Sequence, residues 1–214
     1  KNKISTFLNQ CSRKSLSISE LSAKCRTKQG SHENFSIALR ELAEEGVVFI
    51  KKQQKVLLAA KLGYFPAKVT RLSKTFGFAV TDDGTEVFIP GKFMLGAMPD
   101  DRVLISYIKS RSGSPEGEIV DILKEGCSQL TGKIELCDGL PYFVSDNMSK
   151  NHISIVSDGS SDFKIGEKVL AELAFRGKRH AEHKVRILMS SGDCENASAC
   201  SESILAVHGV SKVF

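Results

Sequence analysis

Three phenylalanines occupy two short β-prone runs at positions where they could stack on nucleic-acid bases. Phe76 and Phe78 lie in the first run, and Phe88 lies in the second, between Val87 and Ile89. Successive side chains of a strand point to opposite faces, so Phe76 and Phe78 share one face. Phe88 joins them on the outside if Val87 and Ile89 fill a barrel. The alternative is that a neighbouring domain covers these rings.

Basic side chains border the aromatic positions and could contact phosphates. Arg71 and Lys74 precede the first run, and Lys92 follows the second. Each base offers a flat π surface, and stacking contributes roughly 1–3 kcal/mol per base without sequence preference. Exposed rings beside cations therefore indicate a surface for single-stranded nucleic acid.

The strand pattern predicts two similar barrels. Five short β-prone runs between residues 66 and 125 are typical of a small closed barrel. Residues 128–190 repeat this layout: Phe78–Asp82 corresponds to Tyr142–Asp146 at an offset of 64, and Asp101–Val103 corresponds to Glu167–Val169 at an offset of 66. A nearly constant offset indicates a duplicated unit.

The second unit keeps fewer stacking residues than the first. At the positions of the three phenylalanines it has Leu140, Tyr142 and Ser154. We therefore expect the first barrel to be the main stacking platform. The second barrel is expected to use Tyr142 and to guide the backbone through Lys133 and Lys168.

The first sixty residues carry the positive charge of the chain. Residues 1–61 hold 12 Lys and Arg against 5 Asp and Glu, a net charge of +7, whereas the whole chain has +5. Their pattern predicts three helices, the third near residues 33–45 and ended by Gly46, followed by a hairpin. This outline is typical of a winged helix-turn-helix, with Lys51, Lys52 and Lys55 at the hairpin tip facing phosphate. The alternative is a module that binds protein rather than a duplex.

Composition excludes a transmembrane protein, a collagen-like chain and a wholly disordered chain. The chain has 214 residues, of which 41% are hydrophobic and 26% charged. No apolar run approaches the ~18–20 residues of a membrane span. Six cysteines without a CxxC pair indicate reduced thiols. No signal peptide is evident in residues 1–10, so we expect a cytoplasmic protein with no membrane contact. We also expect a monomer.

The Phe-Gly-Phe and Val-Phe-Ile runs resemble the two RNA-binding motifs of cold-shock domains, which are five-stranded OB-folds. Arg71 stands where those proteins usually carry a stacking Trp, and a guanidinium plane can also stack on a base. The order of the predicted units, a winged helix followed by two barrels, resembles the N-terminal portion of the ribonuclease R / ribonuclease II family. The run Leu95–Val103 closely resembles part of that family's first barrel. The segment Ile204–Val210 is similar to the family's passage into its catalytic domain.

That resemblance implies a processive 3′→5′ hydrolytic exoribonuclease whose barrels feed single-stranded RNA to a later domain. The later domain would hold aspartates around Mg²⁺ and lies outside this sequence. We expect no catalytic residue, cofactor or metal in the chain itself. Asp82–Asp83 and Asp100–Asp101 look like turn residues. A zinc site from His180, His183 and two cysteines, Cys194 and Cys200, lacks a familiar spacing.

The sequence thus predicts a multidomain, mainly β protein: a winged helix (1–61), two tandem five-stranded OB barrels (62–125 and 126–190) and a linker (191–214). The favoured function is the RNA-binding part of an exoribonuclease. Two other functions stay open. One is a stand-alone nucleic-acid-binding regulator or RNA chaperone without nuclease activity. The other is an adaptor whose barrels bind protein.

Overall fold

A computed structural model describes residues 1–11, 15–25, 32–51, 54–73, 75–109, 113–126, 129–146, 148, 152–156 and 163–193, and the single positions 196, 198, 201 and 205. Most of the expected linker, residues 191–214, lies outside these ranges. No helix in the described part of the chain is long and apolar enough to cross a membrane.

Helices and a small sheet make up the first part of the chain. They are α1 Asn2–Gln10, β1 Leu16–Ser17, α2 Ile18–Cys25, α3 His32–Glu44, β2 Val48–Lys51 and β3 Lys55–Leu58. The sheet is antiparallel with the order β1-β3-β2. Ile4 and Leu8 share one face of α1, and Phe35, Leu39 and Leu42 share one face of α3. All five are buried in one apolar core, which explains the helical spacing.

Local sequence signals explain where these helices begin and end. At the start of α2, Ser17 Oγ accepts a hydrogen bond from the Glu20 N–H at 3.2 Å, and Glu20 Oε2 accepts one from the Ser17 N–H at 2.9 Å. After α3, Gly46 adopts φ +74°. This left-handed conformation lets the Val47 N–H bond the Leu42 carbonyl at 2.9 Å. The predicted end of the third helix is confirmed.

The first barrel is closed within the described residues. Its strands are β4 Tyr64–Leu72, β5 Phe76–Thr81, β6 Glu86–Pro90, β7 Arg102–Ile108 and β8 Glu116–Lys124. The order around the barrel is β4-β5-β6-β8-β7, and β6 runs parallel to β8. Ala79, Val87 and Ile89 are fully buried inside. Their neighbours along the strands, Phe78 and Phe88, face outward.

The second barrel has the same strand order as the first. Its strands are β9 Gln129–Cys137, β10 Leu140–Ser145, β11 His152–Ile155, β12 Glu167–Phe175 and β13 Lys184–Asp193. They close in the order β9-β10-β11-β13-β12, with β11 parallel to β13. Phe143 takes the interior position that Ala79 has in the first barrel. A Cβ at Gly132 would lie 2.6 Å from the Phe143 ring, so the glycine makes room for the larger side chain. Strand β13 continues past position 190, where the sequence predicted the end of this domain. The division of the chain into domains stays a prediction.

A buried ion pair joins the two barrels. Asp101 is fully buried, and its Oδ2 accepts a hydrogen bond from Arg176 Nη1 at 2.6 Å. The same carboxylate accepts from the backbone N–H groups of Met98 at 2.8 Å and Gly126 at 2.9 Å. Several donors around one carboxylate compensate its removal from water. Asp101 is therefore more than the turn residue that the sequence indicated.

Close backbone contact surrounds this ion pair. Gly96 has φ +71°, and a Cβ built on it would lie 1.9 Å from the Gly177 carbonyl oxygen. Nε2 of His180 donates to the Ala97 carbonyl at 2.8 Å. His183 is fully buried, and its Nδ1 accepts from the Gly177 N–H at 3.0 Å. The barrels thus pack together through one short loop from each.

Substituting Gly96 with Ala should loosen the contact between the barrels. The new methyl would collide with backbone and also strain a left-handed residue, so we expect about 2–4 kcal/mol of destabilisation. Gly84→Ala is the matched control, because Gly84 has φ +86° but no atom within 4 Å of its would-be Cβ. The control should cost only about 1 kcal/mol. Equal losses in thermal unfolding would show that backbone strain, and not the contact, sets the effect.

Acid should weaken the same contact through His183. Burial, reinforced by nearby His180 and Arg176 and opposed by Glu182, lowers the pKa of His183 from 6.5 to about 4. The unfolded chain therefore takes up a proton between pH 6.5 and pH 4 that the folded chain does not. Stability should fall by about 3 kcal/mol across that window and be unaffected by this group above it. We expect urea unfolding of a His183→Gln variant to depend less on pH than that of the parent; the same dependence in both would refute this origin.

Candidate nucleic-acid interface

The three phenylalanines form one cluster on the outer face of the first barrel. Ring centroids of Phe76 and Phe78 are 5.7 Å apart, those of Phe76 and Phe88 are 5.4 Å apart, and those of Phe78 and Phe88 are 5.7 Å apart. All three side chains are half-buried, so no other part of the described chain covers them completely. The outward orientation predicted from strand alternation is confirmed.

Backbone pairing places the rings side by side. Phe78 lies directly opposite Phe88 in the register of β5 and β6, and Phe76 lies opposite Pro90. Gly91 follows at once and donates its N–H to the Thr75 carbonyl at 2.8 Å. A Cβ on Gly91 would lie 2.5 Å from that oxygen, so the tight turn beside Phe76 requires glycine.

A β-bulge brings Arg71 into the cluster. Val69 pairs with Ala79, but Arg71 pairs with Phe78, so Thr70 is an extra residue in β4. The extra residue reverses the alternation and turns Arg71 outward. The guanidinium carbon then lies 4.7 Å from the centroid of the Phe78 ring.

An acidic side chain holds the other side of Arg71. Nη2 of Arg71 lies 2.6 Å from Oε1 of Glu86, and both side chains are largely exposed. Glu86 is two positions before Phe88 and therefore on the same outer face of β6. Glu86 was not among the residues predicted from the sequence, although its period-two spacing from Phe88 is a signal that could have identified it.

The expected lysines fall in different surroundings. Nζ of Lys92 lies 4.6 Å from the centroid of the Phe93 ring. Lys74 lies outside the described residues. At the tip of the first hairpin, Lys51 and Lys55 pair across β2 and β3 and are exposed, whereas Lys52 lies outside the described residues.

The corresponding face of the second barrel is mixed in charge. Tyr142 packs on His152 with ring centroids 5.7 Å apart. Glu135 lies opposite Tyr142, where the first barrel has Arg71. Its carboxylate is 2.7 Å from Lys133 Nζ and 3.5 Å from His152 Nε2. The hydrogen bond from Lys133 is the main reason that the pKa of Glu135 lies below its usual value.

This second face carries less aromatic surface than the first. Ser154 faces Tyr142 across the strand pair, at the position where Phe88 faces Phe78. Leu140 is exposed. His152 was also not predicted from the sequence, although it precedes Ser154 by two positions and shares its face.

No group of three or more metal-ligating side chains occurs within the described residues. His180 and His183 lie in the contact between the barrels, with ring centroids 5.3 Å apart. Cys194 and Cys200, the other members of the zinc site considered from the sequence, lie outside the described residues. The part of the structure that is described therefore offers the aromatic cluster, and not a metal centre, as its candidate site.

Comparison with known proteins identifies the first barrel. Residues 67–122 match the family described as the ribonuclease B OB domain. Ribonuclease R of Thermotoga maritima is 23% identical over 211 residues, which is 97% of this chain and 30% of that protein. Ribonuclease R of Vibrio parahaemolyticus is 25% identical over 183 residues, 82% of this chain and 22% of that protein. The chain thus spans less than a third of the length of these relatives.

Solved structures share the fold. The apo form of Mycoplasma genitalium RNase R superimposes with a TM-score of 0.57 at 16% identity, covering 70% of this chain and 25% of that one. Its complex with ribose methylated single-stranded RNA gives 0.55 at 16% identity and the same coverage. Yeast Ssd1, a pseudonuclease, gives 0.58 at 11% identity, covering 71% of this chain and 25% of that one. The resemblance inferred from the sequence is confirmed: the first barrel matches the ribonuclease B OB domain, and nearly the whole chain is similar to part of ribonuclease R.

Proposed function

We propose that this chain is the RNA-binding N-terminal region of a ribonuclease R-like 3′→5′ processive exoribonuclease. In this proposal, single-stranded RNA is captured on the outer face of the first barrel. The observation that carries it is the cluster of Phe76, Phe78 and Phe88, which are only half-buried and have ring centroids within 5.7 Å of one another. Three adjacent rings at a surface give successive bases a place to stack.

The comparisons support RNA as the ligand. Ribonuclease R proteins are the relatives of this chain, and the Mycoplasma genitalium protein, whose fold it shares, is described in complex with single-stranded RNA. The binding residues we assign to this chain are Phe76, Phe78, Phe88 and Arg71, with Lys74 and Lys92 beside them. Tyr142 and Lys133 form a weaker second contact on the other barrel.

The remaining units fit the same proposal. We assign the first sixty residues to a winged helix, on the grounds of three helices and the β2–β3 hairpin. We assign the second barrel to an OB domain, because its strand order equals that of the first. The basic hairpin tip then meets either a duplex or a protein, as the sequence left open.

Hydrolysis would belong to another part of the protein. The family resemblance implies a downstream domain in which Mg²⁺ activates water for attack on the terminal phosphodiester. Among the described residues no cluster of ligands fits such a metal. The proposal therefore assigns this chain capture and guidance of RNA, and no catalytic step. Its monomeric state and cytoplasmic location stay predictions.

The alternative is an RNA-binding regulator or chaperone without nuclease activity. The similarity to yeast Ssd1, a pseudonuclease, favours it, because the same fold is found there. Incubating the full-length protein with single-stranded RNA and Mg²⁺ separates the two. Stepwise release of nucleotides from the 3′ end supports the exoribonuclease, and binding without release supports the regulator.

Removing one ring from the cluster should weaken RNA binding. We expect Phe78→Ala to reduce affinity for a labelled single-stranded oligoribonucleotide about ten- to a hundredfold, because a stacking partner is lost. Tyr142→Ala should reduce it less, since Tyr142 packs on one ring, that of His152, whereas Phe78 packs on two phenylalanines. Fluorescence anisotropy measures both.

The chain provides a matched control for this experiment. Phe65 is an exposed aromatic on the same barrel, 39% accessible, and its ring packs on Tyr107 instead of on the cluster. Phe65→Ala should leave the affinity unchanged. A loss equal to that of Phe78→Ala would show that exposed aromatics in general, and not the cluster, support binding. A larger loss for Tyr142→Ala would reverse the ranking of the barrels.

Binding should also weaken with salt. With three phosphates neutralised on a single strand, log affinity falls with a slope of about −2 against log salt. Affinity should then drop about twentyfold between ~50 and ~200 mM salt. Titrations at several salt concentrations measure the slope. Affinity that is insensitive to salt would instead favour the adaptor that binds protein.

A further inference from the structure

The ion pair between Arg71 and Glu86 stands at the edge of the aromatic cluster. Arg71 lies over one ring, 4.7 Å from the Phe78 centroid, and its Nη2 lies 2.6 Å from Glu86 Oε1. Both side chains are more than 45% exposed, at 65% and 48%. The pair is thus open to a ligand that approaches the cluster.

The backbone brings these groups together from two strands. The bulge at Thr70 sets Arg71 directly opposite Phe78 on β5. On the other side of Phe78, β6 carries Phe88 directly opposite and Glu86 two positions earlier, opposite Val80. The Glu86 side chain therefore reaches the Arg71 guanidinium across β5, the strand that holds Phe78.

The ion pair restrains the orientation of the guanidinium. A free arginine samples many rotamers, and holding one of them costs side-chain entropy. Contact with a ring face on one side and a carboxylate at Nη2 limits this sampling before any ligand arrives. A guanidinium has five N–H donors, so the group can bind Glu86 and still offer donors to a nucleotide.

We propose that Arg71 is the fourth stacking member of the cluster and that Glu86 is its positioning residue. The guanidinium plane, with Phe78 behind it, receives a nucleobase of single-stranded RNA on its outer side. Glu86 contributes to affinity by holding that plane, although it brings a negative charge to a surface that binds a polyanion. The inference rests on the proposed function, because it concerns the same face of the barrel.

The second barrel lacks this arrangement among its described residues. The place of Arg71 is taken there by Glu135, and the place of Glu86 by His152, opposite Val144. An acid, and not a planar cation, thus lies beside Tyr142. The difference gives a second reason why the first barrel should bind bases more tightly.

The sign of the Glu86 effect tests the proposal. Simple electrostatics predicts that removing an acid from an RNA-binding face raises affinity. Positioning predicts the opposite, and we expect Glu86→Ala to weaken binding of a labelled oligouridylate about two- to fivefold. Glu118→Ala, which removes an acid from β8 of the same barrel, is the charge-matched control and should raise affinity slightly. A rise for both variants would overturn the proposal.

A double-mutant cycle shows whether Glu86 acts through Arg71. In an Arg71→Ala background, Glu86→Ala should no longer weaken binding. An equal loss in both backgrounds would overturn the proposal. Arg71→Lys keeps the charge without the plane, so it should lose affinity about two- to fivefold while the salt slope stays that of the parent. Full affinity with Lys would show a phosphate contact instead.

Failure of this inference and failure of the proposed function give different results. If Phe78→Ala does not weaken binding of the oligouridylate, the stacking site itself is wrong. If Phe78→Ala weakens binding but Glu86→Ala strengthens it, only the positioning role is wrong. Thermal unfolding of each variant identifies any change that comes from loss of the folded state.

Discussion

A closed barrel of five strands has room inside for only one side of each strand, and this constraint decides where the phenylalanines lie. Small and branched residues such as Ala79, Val87 and Ile89 are fully buried in the interior. Alternation then forces Phe76, Phe78 and Phe88 to the outside. Burying a phenylalanine fully would contribute roughly 1.5–3 kcal/mol. Contacts among the three rings recover part of this energy, and the exposed remainder is surface available to a ligand.

Strand alternation was enough to predict the cluster but not its cationic edge. Counting by twos from Val69 puts Arg71 inside the barrel, and only the unpaired Thr70 turns it outward. A bulge is a feature of the register between two strands, and one strand's sequence does not contain it. Asp101 shows the same limit over a longer distance, since its role depends on Arg176 of the other barrel. Local signals such as Gly46 were sufficient to predict the end of a helix, because the groups that bond there are near one another in the sequence.

The two barrels share the features that the barrel fold imposes and differ in the others. Each has a carboxylate after its second strand bound to a cation on its fourth: Asp82 with Arg102, and Asp146 with Lys168. Strand order is also shared. The outer faces differ in both rings and charges, because an exposed position is not constrained by the packing inside. Identical architecture is therefore compatible with two different outer faces.

One segment connects the aromatic cluster to the contact between the barrels. It runs from Gly91 to Asp101. Near its start, Met94 lies beneath β5, where a Cβ on Gly77 would come within 2.8 Å of its sulfur. At its end, Asp101 binds Arg176 of the second barrel. Because densely packed interiors do not deform freely, a shift of this segment at one end is resisted at the other. The position of the three rings and the orientation of the second barrel consequently depend on the same packed segment.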